Sequence, residues 1–278
     1  MVDQRMTEEE LERLVRDALK AFYDRRIQAL DKLELKKVLT RKNPYLFRAV
    51  GIVTPSEMVA ALLQAHVSSS DETIFGDAFF ERIARDVSRG KDSQGEGLDI
   101  DIDVETEHTV IAVKSGPFWA NSRQKTGLKQ DFEKARRIFS TRRSEKRQFK
   151  ALLGQCYGRT KGQPDAKRAY YVLSGQAFWR YITGDADFYL RLMRLLGDVT
   201  AQERERYQIA FDSAVQRFTE QFDKDFSVNG AIDWEKLMKF NSGERVRQSS
   251  KYWATGTPQS SVTSSSSSTL TLDEIFTA

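Results

Sequence analysis

The sequence predicts an α/β protein, because its apolar residues recur at helical spacing at both ends and change to strand spacing in the middle. Thr7-Glu8-Glu9-Glu10 opens the chain as a capping box, with Leu11, Leu14, Val15, Ala18, Leu19 and Phe22 following three and four residues apart. Around residue 98 the period drops to two: Leu98, Ile100, Ile102 and Val104 alternate with Asp99, Asp101, Asp103 and Glu105. From Gln176 to about Glu244 the spacing is helical again.

In chain order, the first helix continues less regularly through Ile27, Leu30 and Leu33, and Pro44 ends helical geometry at Asn43. Such a stripe suits packing or dimerisation. A second helix is expected from Pro55 to about Val67, stopping at Ser68-Ser69-Ser70. A third spans about Thr73 to Arg89, with Phe75, Phe79, Ile83 and Val87 on one face. The alternating stretch is a strand with one apolar and one carboxylate face. After a turn at 106–108, Thr109 to Lys114 forms its hairpin partner, closed by Ser115-Gly116-Pro117. A helix over about 125–139 and apolar segments at 151–156 and 170–173 follow. The tail from about Gly256, with its serine run 264–268, cannot bury enough surface to order itself.

Composition narrows the function. The chain has 278 residues, 44 Lys+Arg against 40 Asp+Glu, two histidines and one cysteine. Mean hydropathy is −0.56 and no apolar run approaches a membrane span. The N-terminus is acidic and amphipathic, so a cytoplasmic protein is expected. Cys156 alone excludes an internal disulfide, and His66 and His108 are too few for a Cys/His zinc cluster or a His-based triad. Nine basic residues against three acidic between Lys129 and Lys150 make a local surplus of six, where the whole chain carries +4. That clustering suits phosphate neutralisation. Arg142, Arg143 and Arg147 in it are candidate base readers, and Arg123 and Arg159 further DNA contacts; a solvated basic face is the alternative. Cys156 reads as a packed strand residue. Phe178, Trp179 and Tyr181 read as core, and Trp119 as a ring packed under the lysine or approaching DNA.

Lys114 ends an apolar strand, where an ammonium needs a partner. Residues 110, 112 and 114 share a face, and the preceding antiparallel strand offers a row of carboxylates beginning at Asp99, so Asp99 and Lys114 can converge. Carboxylates with a lysine suit phosphodiester hydrolysis assisted by a divalent metal. A solvated sheet face with a snorkelling lysine competes. A calcium loop fails, since Val104 stands where glycine is needed and Val110 where glutamate is needed.

The order Gly97-Leu98-Asp99, hairpin, Ala112-Val113-Lys114 resembles the PD-(D/E)XK nuclease motif. Lys114-Ser115-Gly116-Pro117 with Asn121-Ser122 is similar to the PmeII-like group of type II restriction endonucleases. Further similar blocks stand in the same order across residues 40–242: Lys42-Asn43-Pro44-Tyr45-Leu46-Phe47, Phe75-Gly76, Cys156-Tyr157-Gly158-Arg159, Gly175-Gln176 with Phe178-Trp179, and Ile232-Asp233-Trp234. The resemblance implies a restriction-endonuclease-like α/β fold, a mixed sheet flanked by helices with additional N- and C-terminal helices. The corresponding division is an N-terminal helical segment 1–40, a catalytic core 41–175, a C-terminal helical part 176–250 and a serine-rich tail 256–278. It also implies a Mg²⁺-dependent, site-specific double-strand DNA endonuclease, a homodimer acting beside a DNA methyltransferase with the same target.

By residue, the resemblance makes Asp99 the central metal ligand, Lys114 the catalytic lysine and Glu81 the acid aimed in from the preceding helix. Glu81 lies about 200° from both Phe79 and Ile83 on an ideal helix, which equally suits a solvated glutamate. The family pattern has an acid two residues before the lysine; here that residue is Ala112. Asp131 on the following helix is the favoured substitute, with Asp101 another. The missing acid also admits a non-catalytic DNA-binding protein on the same fold, and a defence or repair nuclease without fixed sequence preference is a second alternative.

Overall fold

A computed structural model describes residues 6–141, 147–160, 169–199 and 201–243. Arg142 and Arg143 and the serine-rich tail lie outside them. Helix α1 (Glu8–Asp31) starts at the Thr7/Glu10 capping box read from the sequence. Two short helices follow, α2 (Leu35–Leu39) and α3 (Pro44–Ala49), and Pro44 is the first residue of α3, where its missing amide costs nothing. Next come α4 (Pro55–Phe75), a π-helical segment (Gly76–Glu81) and α5 (Arg82–Ser88). The expected break at Ser68–Ser70 does not occur. The Ser69 and Ser70 hydroxyls donate back to the carbonyls of His66 and Val67 in the preceding turn, so the serines are absorbed into α4.

Strands β1 (Lys91–Asp92), β2 (Ile100–Asp103), β3 (Glu107–Lys114), β4 (Gln148–Gln155) and β5 (Tyr171–Ser174) form one sheet in chain order. β1–β2–β3 are antiparallel and β3–β4–β5 parallel, so the sheet is mixed as expected. Helix α6 (Ser122–Ser140) makes the crossover from β3 to β4. Helices α7 (Gln176–Thr183), α8 (Phe188–Val199), α9 (Ala201–Phe226) and α10 (Trp234–Asn241) follow among the described residues. A two-strand ribbon, β6 (Ser227–Val228) and β7 (Ala231–Ile232), separates the last two.

Two apolar cores lie on the two sheet faces. Ile100, Ile111, Val113 and Leu152 join the large core of α1, α4, α5, α7 and α9. Leu98, Val110, Ala112 and Leu153 join a smaller one with Leu128 and Phe132 of α6. The stripe of α1, including Leu11, Val15, Ala18 and Leu19, is buried within the protomer. It is therefore spent on packing and does not supply the dimer surface read for it. Phe178 and Trp179 are core, as expected, and the Trp179 indole donates to the Cys156 carbonyl at 2.9 Å. Among the described residues, no helix is long and apolar enough to cross a membrane.

The alternation at 98–104 is interrupted at its start. Leu98 and Ile100, expected on one face, enter opposite cores, and Val104 is exposed. The Asp99 amide donates to the Ile111 carbonyl at 2.9 Å, although Ile111 is the register partner of Ile100. Two residues facing one constitute a β-bulge, which re-aims the bulged side chain. Gly97, at φ +73°, turns the chain into it.

Candidate active site

The bulge positions Asp99. Its carboxylate accepts the Val113 amide at 2.6 Å and lies 3.5 Å from the Lys114 ammonium. The two side chains are 21% and 28% exposed, so the pair is screened from water without being sealed from a ligand. Asp99 and Lys114 thus converge, as expected from the sequence, but by way of the bulge. The Lys114 backbone is fixed from the other side, its carbonyl accepting the Cys156 amide at 2.9 Å.

Glu81 ends the π-helical segment. An ordinary helix would give each residue 100°, whereas a π segment has more residues per turn and shifts the face presented beyond it. Phe79 and Ile83 are fully buried, while Glu81 is half-buried and borders two cavities. The larger, about 430 Å³, also has Glu72, Asp77, Lys114 and Trp119 in its wall. The smaller, about 210 Å³, also has Asp99 and Arg85. Burial, followed by the Asp99 charge, pushes the Glu81 carboxyl up to about 7, against the pull of Lys114. Burial likewise raises Asp99, with Lys114 and the Val113 amide opposing it. Asp77 pushes both upward.

Asp77 was not singled out in the sequence. The signal that marks it, a π turn beginning at Gly76, has no residue pattern of its own. The turn also sets Gly76 close enough to the site that an added Cβ would lie 3.0 Å from the Ser115 hydroxyl. π turns recur at functional sites.

The remaining candidates separate. The bulge takes Asp99 out of phase with Asp101, correcting the shared face read for them. Asp101 faces Val110 in register, and its Oδ1 is buried without a hydrogen-bond partner. Asp131 sits against Gly97, where an added Cβ would lie 2.6 Å from Oδ2, and it borders neither cavity. Ala112, where the family pattern has an acid, is fully buried between sheet and α6. Arg123 and Arg159 are exposed near this end of the sheet, Arg123 in the first turn of α6 and Arg159 just beyond β4. Arg147 lies at the other end, paired with Asp103. Cys156 is buried, and burial lifts its thiol well above the ordinary value, which fits a packing residue and not a nucleophile.

Among the described residues, no group of three or more His, Cys, Asp or Glu side chains is arranged to hold a metal. What the site offers is two carboxylates, Asp99 and Glu81, both raised above their ordinary values and both near one lysine. Mg²⁺ is commonly held by one or two carboxylates, with water and phosphate oxygens completing its octahedron. The donor set fits that habit.

No curated protein matches the chain. The family model for type II restriction endonuclease EcoO109I matches residues 9–205, which include the whole sheet, the π turn and the Asp99–Lys114 pair. The PmeII-like likeness is a finer assignment that this match leaves as a resemblance. With this fold, this sheet order and a match over most of its length, the chain belongs to the type II restriction endonuclease family of EcoO109I.

Proposed function

We propose that the protein is a Mg²⁺-dependent endonuclease that hydrolyses both strands of duplex DNA at a fixed sequence. The observation that carries this is the approach of Lys114 to Asp99 at 3.5 Å beside Glu81, with Lys114 and Glu81 bordering the larger acidic cleft and Asp99 and Glu81 the smaller one. Asp99 and Glu81 would hold the metal, which supplies charge neutralisation and an activated water at neutral pH. Lys114 orients the attacking water and offsets charge that develops on the phosphate. The Val113 amide fixes the Asp99 carboxylate through 2.6 Å, so that donor is oriented before DNA arrives. Asp131 and Asp101 stand as alternatives for a further acid, and Arg123, Arg142, Arg143, Arg147 and Arg159 as DNA contacts.

Cutting both strands of a two-fold symmetric site takes two such centres, so the working form is a homodimer. It acts in the cytoplasm beside a DNA methyltransferase that shields the same target. Burial of Ala112 supports a second reading, a duplex-binding protein without cleavage. The test is digestion of unmethylated phage DNA in Mg²⁺ and in EDTA, with Lys114→Ala alongside. Discrete bands in Mg²⁺ alone, lost about 10²–10⁴-fold in the variant, are expected. Shifted but intact DNA would establish the second reading, and a smear a nuclease without fixed sequence.

A further inference from the structure

Phe118 is 96% exposed, more than any other large apolar side chain among the described residues. It stands four residues beyond Lys114, on a segment anchored at both ends. The Ser115 carbonyl accepts the Tyr157 amide at 3.0 Å, and Gly116 packs so tightly that a Cβ there would come within 2.1 Å of the Tyr157 ring. Pro117 adds a fixed φ. At the far end, the Asn121 side chain caps α6 by accepting the Gln124 amide at 3.0 Å. The backbone is held, and the ring at its tip is left in water.

The surroundings say what the ring meets. Phe118 borders the acidic cleft with Glu81 and Lys114. Behind it, Trp119 borders both that cleft and a second one of about 360 Å³ carrying Lys125 and Lys129. One side of the segment thus holds Glu81 and Lys114, proposed to take a metal and the reacting phosphate, and the other presents ammonium groups suited to the neighbouring backbone. An uncharged ring between a reacting phosphate and flanking phosphates has the bases themselves as its partner. Aromatic side chains stack on bases whatever their identity, and apolar wedges unstack base steps and kink the duplex.

We infer that Phe118 inserts against a base step of duplex DNA beside the phosphodiester at Lys114, and so positions that phosphate over Asp99 and Glu81. This rests on the nuclease reading for the identity of the phosphate, but not for DNA binding. Phe118 is a positioning residue: it touches bases, not the reacting atoms.

Fragment ends from the Mg²⁺ digest define the target duplex, which is then made with 2-aminopurine at successive positions about the cut. Wild type, Phe118→Ala and Phe118→Trp are compared, after thermal melts establish equal folding. In Ca²⁺, wild type is expected to raise 2-aminopurine fluorescence at one or two adjacent positions. Phe118→Ala should lose that signal and about tenfold or more in affinity, and Phe118→Trp should restore both. Equal fluorescence, affinity and cleavage in Phe118→Ala would overturn the inference. So would a change in the sedimentation of DNA-free protein with an unaltered DNA signal, which would place the ring against a second copy of the chain. If wild type binds without cutting, the nuclease reading falls. The same three proteins on a mixed-sequence 2-aminopurine duplex then judge Phe118 alone. Failure of wild type to bind any duplex would remove both.

Discussion

The hairpin of β2 and β3 has acids gathered at both ends, and the two ends treat them in opposite ways. At the Lys114 end, Asp99 and Glu81 are raised, chiefly by burial, with one lysine against them and Asp77 adding to the repulsion. At the other end, about 13 Å away by strand rise, Asp103 is bonded to His108 at 2.7 Å and paired with Arg147. Glu107 accepts the Thr109 hydroxyl at 2.6 Å and the Tyr181 hydroxyl at 3.2 Å, and faces Lys150 at 3.5 Å. Both Asp103 and Glu107 are held below the ordinary carboxylate range, Asp103 first by its His108 bond and Glu107 by its partners in spite of burial. One end has met its charge with the chain's own cations. The other keeps negative charge in excess, the condition a divalent cation would relieve.

The sharpest way to break this comparison is to neutralise one acid at each end. Asp99→Asn is expected to reduce cleavage by about 10²–10⁴-fold, since it takes the charge from the proposed metal donor while its shape persists. Asp103→Asn, an identical change four residues along, should leave cleavage within a few-fold of wild type. Initial rates on one plasmid decide it, and equal losses in the two variants would mean that the ends do not differ in role.

A second contrast is in pH. Glu81 has a folded-state value near 7, above the 4.5 of a free glutamate. Its buried charge therefore costs stability above about pH 7, and that cost disappears as pH falls toward 4.5. Asp103 and Glu107 have lowered values, so their stabilisation is present at neutral pH and is lost as pH falls through the acid range. The metal-free protein in EDTA should accordingly melt at higher temperature at pH 5.5 than at pH 8, by a few degrees, and then lose stability below about pH 4. Glu81→Gln should flatten the first change and leave the second. A melting temperature that rises steadily from pH 5.5 to pH 8 would contradict the assignment.

The sequence displayed the comparison only in part. Capping boxes, strand period and the lysine at the end of an apolar run are local, and they correctly led to α1, β2–β3 and the convergence of Asp99 with Lys114. The alternation Asp99-x-Asp101-x-Asp103 presented three equivalent acids. A bulge made them different, and a bulge is a pairing event between strands that spacing along one strand cannot reveal. The π turn escaped for a similar reason: Phe75, Phe79 and Ile83 keep helical spacing, and the turn that presents Asp77 and Glu81 packs on elements distant in sequence, α1 and β3. Arg147 looked like one more residue of a basic run, because its partner Asp103 lies 44 residues away.

The smallest expected effect concerns the stability of the compensated end. Asp103 is 41% exposed and Arg147 25%, so water screens their attraction and the pair contributes about 1 kcal/mol or less. His108 is different, being 8% exposed and stacked on Phe139 at 4.8 Å between ring centroids. Its Nδ1 loses an anionic partner when Asp103 becomes Asn, but the amide oxygen can still accept from that nitrogen. Asp103→Asn should therefore cost about 1 kcal/mol, or roughly 2–4 °C in melting temperature, whereas Asp103→Leu, which offers no acceptor to a buried imidazole, should cost about 1–3 kcal/mol. Raising the salt concentration should shrink the first loss more than the second, because salt screens charge and leaves an unmade buried hydrogen bond unmade. Equal losses for Asn and Leu at every ionic strength would show that the Asp103–His108 contact does not stabilise the fold.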